Sequence, residues 1–203
     1  MKLILVRPSA HPPNSDVASY VAGVLLASVR PKVEALGVTI VDLLGDRAST
    51  QHILDALKEA DHNGTVVAFA GHGVEDAWLR RIGGEVVLVA DNLHMHKGLR
   101  IYAHACFTTL GLGRAAVNAG NVTYYLGYKS EVVIYYDLTT LTSPKGFAQT
   151  VTAGVLGSIT EVSAGPATAR VQSEYRRWIR HWQKRSPPVA AILRLNLRVF
   201  DAV

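Results

Sequence analysis

The chain has 203 residues, of which 49% are apolar, and carries a formal charge of +5. That is enough material for one domain with a full-sized core, and the absence of any low-complexity block argues against disorder. A single cysteine excludes an internal disulfide and with it a disulfide-stapled secreted scaffold, which points to a reducing, cytoplasmic setting.

The first apolar run, Leu3 to Val6, reads as a strand. It is too short for a signal-peptide core, and no small-residue cleavage site follows it. No run reaches the ~18 apolar residues of a membrane span. The next loop contains Pro8, Pro12 and Pro13, which exclude regular structure there. Ser15 or Asp16 then offers an N-cap to a helix starting near Val17, with Val21, Val24, Leu25 and Val29 at helical spacing. Pro31 either kinks this helix or starts a new one, and Gly37 stops it.

Val38 to Leu44 gives a second strand. Ser49 or Thr50 caps a helix that carries Ile53, Leu54, Leu57 and Ala60 on one face. After the turn cluster Asp61-His62-Asn63-Gly64, Val66 to Ala70 forms a third strand that runs into Gly71-His72-Gly73. Trp78 and Leu79 open a short helix or form one arm of a hairpin with Glu85 to Ala90. A turn-rich segment, Leu93 to Gly98, precedes the fourth strand, Arg100 to Ala105, which runs into Cys106. Thr108 or Thr109 caps a helix over Leu110 to Ala119, ended by Gly120.

Val122 to Leu126 is a fifth strand and Glu131 to Tyr136 a sixth. Ser143 precedes a helix from about Pro144 to Leu156, ended by Gly157. Ala164 to Arg185 reads as one long helix, Pro187-Pro188 breaks it, and a last helix covers Val189 to Val199. Strands alternating with helices predict a mainly parallel α/β sheet in three layers. The chain is read as a single domain, with a core over about 1–157 and a C-terminal helical extension over about 164–203.

In an open parallel sheet the loops at the C-terminal strand ends carry the ligand site. This places His72 and Cys106 on one edge, and the residues between them suffice for a crossover. A histidine beside a cysteine is the minimum equipment of a thiol nucleophile. His94 and His96 invite a metal reading with His104, but no further ligand spacing accompanies them, so no metal site is expected. Gly71-His72-Gly73 lacks the Lys-Ser/Thr of a phosphate-binding loop, and no cofactor is expected. The basic stretch Arg176 to Arg185, with Trp178 and Trp182, reads as an amphipathic helix with its tryptophans inward. No RNA or DNA motif accompanies it, which argues against nucleic acid as a partner.

Strand-Gly-His-Gly followed by strand-Ala-Cys, a helix and a further strand resembles the caspase-like cysteine peptidases. That superfamily includes caspases, metacaspases, legumain, separase, gingipains and the bacterial CHAT proteases. The matching positions are Ala70-Gly71-His72-Gly73 and His104-Ala105-Cys106-Phe107-Thr108-Thr109. The downstream Gly111 to Gly120 and Phe147 to Gly157 look most like the CHAT branch. Relatives often carry glycine two or three residues after the cysteine, where this chain has Thr108 and Thr109.

The resemblance implies a caspase-like α/β/α sandwich with about six strands. It implies a cytoplasmic cysteine endopeptidase of bacterial stress or defence signalling, acting on a protein or peptide substrate under a possible regulatory partner. His72 and Cys106 form the catalytic dyad, and the backbone N–H groups of Gly73 and Cys106 form the oxyanion hole. By the same analogy His104, two before the cysteine, faces the specificity pocket, Arg7 sits where caspases place a pocket arginine, and Asp137 is a third pocket candidate. Together His104 and Arg7 lean toward an acidic or neutral residue before the cut. A cationic His72 and the helix after Thr109 are expected to lower the Cys106 pKa. The alternative from a different class is a catalytically inactive interaction module that keeps the same fold.

Overall fold

The computed structural model describes residues 1–9, 16–59, 64–81, 84–94 and 96–203. The expected cap at Ser15, most of the proline loop and part of the turn cluster after the third helix lie outside the described residues.

In chain order the first elements are β1 (Lys2–Arg7), α1 (Val17–Ala27), α2 (Arg30–Glu34), β2 (Thr39–Leu44) and α3 (Thr50–Lys58). They are followed by β3 (Thr65–Ala70), β4 (His72–Gly73), β5 (Ala77–Leu79), β6 (Val86–Val89) and β7 (Leu99–His104). The second half contains α4 (Leu112–Asn118), β8 (Val122–Tyr128), α5 (Lys145–Thr160), α6 (Ala164–Trp182), α7 (Pro187–Val199) and β9 (Phe200–Ala202).

Six strands form one sheet in the order β2-β1-β3-β7-β8-β9. Every pairing is parallel except the last, where Tyr128 opposes Phe200 and Leu126 opposes Ala202. The strands β3 and β7 are buried at every residue, which explains why they read as unbroken apolar runs rather than as alternations. Successive side chains then go to opposite faces. Leu3, Leu5, Val66, Ala68 and Tyr102 join one core with Leu26 of α1, Val151 of α5, Val171 of α6 and Leu193 of α7. Ile4, Val6, Val67, Phe69 and Ile101 join a second core with Ile53 of α3, Trp78 of β5, Leu88 of β6 and Ala116 of α4.

The structure corrects the sixth strand, the C-terminal extension and the end of α5, and it decides between the two readings of the Trp78 segment. Residues 131–136 are not a strand, and the sixth position in the sheet belongs to β9. The C-terminal segment is therefore part of the sheet and not an addition to a finished core: Leu126 and Tyr128 pair with it directly. Gly157 does not end α5, which continues to Thr160; a Cβ at that glycine would stand 3.3 Å from Ala167 of α6, so its absence lets the two helices approach. Close approach also decides Gly154, where a Cβ would stand 2.2 Å from the Tyr102 ring. The Trp78 segment is an arm of a hairpin and not a helix: β5 pairs antiparallel with both β4 and β6.

Candidate active site

The strands β3 and β7 are neighbours, and Ala70 pairs with His104. His72 and Cys106 each lie two residues beyond that last pair, so they leave the sheet at equivalent points on its C-terminal edge. The Gly71 N–H still reaches the His104 carbonyl at 3.4 Å, after which the chain turns into β4. A Cβ on Gly73 would stand 2.5 Å from the Cys106 carbonyl oxygen and 2.6 Å from Thr108 Cγ2. Only glycine fits where the histidine segment crosses the cysteine loop.

The same glycine has a defined polarity. Val74 N–H donates to Ala77 O at 3.0 Å, closing the β4–β5 turn. Hydrogen-bonded and non-bonded pairs alternate along an antiparallel ladder. Gly73, opposite Trp78, is thus the non-bonded pair, and its N–H faces away from β5.

His72 is anchored by a residue that sequence spacing did not reveal as its partner. Its Nε2 lies 2.7 Å from Asp16 Oδ1, with both side chains mostly buried. The same carboxylate oxygen accepts from Ser19 N–H at 3.3 Å and caps α1, the role expected of Asp16 or Ser15. A carboxylate only accepts, so Nε2 carries the proton and Nδ1 is left as the basic nitrogen. Topology held the missing signal. A helix that follows a parallel strand begins at that strand's C-terminal end, so the α1 cap had to fall on the edge that carries His72.

Cys106 is partly covered. Val132 N–H donates to its Sγ at 3.4 Å, and Sγ lies 3.9 Å from the Val132 carbonyl oxygen. Burial pushes the thiol pKa up. The Val132 amide opposes that shift and the charge of Glu131 adds to it. The expected lowering does not occur in this state. One reason is that α4 starts at Leu112 behind a Gly111 cap, so its N-terminus is well past the cysteine. Phe107 takes a left-handed φ of +62°, and its N–H donates to Ser130 O at 3.2 Å. A left-handed residue costs about 1–2 kcal/mol in a non-glycine side chain. The cysteine loop thus makes its tight turn at Phe107, one residue before the Thr108 and Thr109 positions where glycine was sought.

The three pocket candidates fall elsewhere. His104 is 2% exposed, with Nδ1 3.3 Å from Tyr128 Oη and its ring edge-on to that tyrosine, so it is a core residue and not a pocket wall. Burial holds it neutral, with a pKa lowered to about 4. Tyr128 Oη continues the contact to Tyr175 Oη at 2.8 Å. Arg7 is bidentate to Asp42, with Nε to Oδ1 at 3.0 Å, and Arg30 binds the same carboxylate at 2.9 Å. Its charge is spent inside the fold, which removes the basis for an arginine-floored pocket. Asp137 is exposed and builds its own turn by accepting from Thr139 and Thr140 N–H, which holds its carboxyl below the usual range.

Among the described residues no group of three or more His, Cys, Asp or Glu is gathered as a metal site requires. His94 is bound to the Asp91 carbonyl on the surface, and His96 is buried. In α6, Trp178 is buried with its Nε1 on Glu174, while Arg176, Arg177 and Arg180 are exposed, so this helix is amphipathic as read. Among the described residues no helix is long and apolar enough to cross a membrane. No protein-family model matches the chain, and no curated protein matches it.

Proposed function

We propose that the protein is a cysteine endopeptidase in which Cys106 and His72 act as a dyad oriented by Asp16. The observation that carries the reading is the register. Equivalent positions beyond the Ala70–His104 pair bring a histidine and the chain's one cysteine to the same edge of two adjacent parallel strands. They end the third and fourth strands of the central sheet in chain order, as the resemblance to caspase-like peptidases implies. A six-stranded sheet with helices on both cores supports a caspase-like three-layer sandwich; the cytoplasmic role in bacterial stress or defence signalling rests on the resemblance to the CHAT branch alone.

In this mechanism His72 Nδ1 takes the Cys106 proton, and the thiolate attacks the substrate carbonyl carbon. The C–N bond then breaks as His72 returns the proton to the leaving amine, and water hydrolyses the thioester. Asp16 keeps the proton on Nε2 so that Nδ1 stays free for this exchange. Gly73 N–H, directed away from β5, and Cys106 N–H are the proposed oxyanion donors.

A peptide probe with a thiol-reactive head group tests the proposal. Labelling at Cys106 that falls by two orders of magnitude or so in His72→Ala supports the dyad, since a positioned acid–base group is worth at least about 100-fold. Equal labelling of both proteins removes it. The second reading, an inactive interaction module with this fold, is favoured by the coverage of Sγ by Val132, and it predicts that outcome.

A further inference from the structure

Residues 131–136 carry no regular secondary structure, yet they are held in one place across Cys106. Val132 supplies both of the polar contacts to Sγ. The next residue, Val133, is gripped from behind by the side-chain amide of Asn196 on α7. Val133 N–H donates to Oδ1 at 3.0 Å, and Nδ2 donates to the Val133 carbonyl at 2.7 Å. This is the reciprocal exchange that two strand residues make, with one side chain in place of a strand. Asn196 is fully buried, which is rare for its type unless its amide is satisfied.

We infer that Asn196 is a latch that holds residues 131–136 across Cys106 in a closed resting site, and that the site opens when this segment withdraws from α7. The inference rests on Cys106 being the reactive thiol of the proposed peptidase. Beyond the latch, the segment has few ties. Lys129 N–H reaches Val199 O at 2.9 Å, Phe107 N–H reaches Ser130 O, and Ser143 Oγ donates to Tyr135 O at 2.7 Å. Val132, Ile134 and Tyr136 are only partly buried against the core, while Glu131 and Tyr135 are exposed. A strip with half-buried side chains and a single bidentate clamp is the least costly part of this edge to move. Its displacement uncovers Sγ without breaking any strand pairing of the central sheet. Because α7 runs directly into β9, whatever moves the C-terminal segment also acts on the latch.

The chain's one cysteine makes the test direct: the rate of Cys106 alkylation by iodoacetamide, followed by intact mass. Asn196→Ala removes both latch bonds and should raise the rate about tenfold, each net hydrogen bond being worth a factor of several in the open population. Val133→Pro removes one of the two latch bonds, the N–H to Oδ1, leaves α7 untouched and should also raise it. Circular dichroism and a melting curve establish that each protein is folded at the assay temperature. If Asn196→Ala fails to fold, Val133→Pro decides. A folded variant that reacts no faster than the parent, or more slowly, overturns the latch. The parallel rate of His72→Ala reports on the dyad alone, so the two readings fail separately.

Discussion

His104 makes the fold sensitive to acid in a way that can be worked out. It ends β7, 2% exposed against Tyr128 of β8, and its pKa falls from an ordinary 6.5 to about 4 because burial disfavours the charged ring. In the unfolded chain the ring binds a proton as the pH drops through the ordinary value, while in the fold it resists until about 4. Between these limits the unfolded state holds more protons, so stability rises with pH and is lost on acidification through that window. The difference amounts to about 3 kcal/mol at pH 4, at roughly 1.4 kcal/mol per pKa unit. Urea midpoints measured from pH 7.5 down to pH 4 give the curve, and His104→Leu, which cannot titrate, gives the reference. The parent should lose about 3 kcal/mol more than the variant over the range, after their difference at neutral pH is subtracted. Parallel curves would refute the reasoning, since a protonated His104 would then be accommodated in the core.

The remaining predictions concern the site and its supports. Asp16→Asn keeps an N-cap side chain, so stability should change by only a few tenths of a kcal/mol. Probe labelling of Cys106 should nonetheless fall at least about tenfold, because an amide no longer fixes the His72 tautomer; Asp16→Ala should lose both. Gly73→Ala forces a Cβ onto the Cys106 carbonyl and should cost about 1–3 kcal/mol in urea unfolding as well as most of the labelling. Gly154→Ala drives a methyl into the buried Tyr102 ring, costs a similar amount, and should leave the labelling of the folded fraction unchanged. For Cys106, whose pKa is raised in the fold, stability is full below the ordinary value of 9.0 and declines as the pH rises past it. Cys106→Ser should flatten that alkaline decline.

Most of the architecture was legible because its signals are local. The runs before His72 and Cys106 are buried on both sides and show as apolar blocks, and Ser49 caps α3 where the pattern puts it. The segment 131–136 misled for a physical reason. Its Val132-Val133-Ile134-Tyr135-Tyr136 is a β-branched and aromatic run, and every second residue of it, Val132, Ile134 and Tyr136, does pack on the core, which is the strand pattern. Hydrogen bonding, invisible in that pattern, goes to an asparagine side chain and a thiol instead of a strand. The strand β9 is three residues long, too short for its pattern to stand out, and is defined by its antiparallel pairing with β8. Arg7 and His104 fit a pocket by position along the chain. Asp42 on the adjacent strand and the tyrosines below β7 claim them in space. Asp16 shows the converse, since the residue recognised as a cap turns out to reach His72 as well.

Closure and acidity are coupled at Cys106 through the same few atoms. The segment that covers Sγ removes it from water, which disfavours the thiolate, and it also brings the carboxylate of Glu131 near, which acts in the same direction. Its one favourable contribution is the Val132 N–H, and burial outweighs it. Withdrawal of 131–136 therefore does two things at once: it opens access to Sγ, and it returns the thiol toward its ordinary acidity. Access alone would raise alkylation by a constant factor at every pH. Relief of burial adds a further gain only below the thiol pKa, where the thiolate fraction limits the rate. A latch that acts through coverage and desolvation together thus gives a rate ratio between Val133→Pro and the parent that is largest near neutrality and shrinks toward alkaline pH, while a purely steric cover gives a flat ratio.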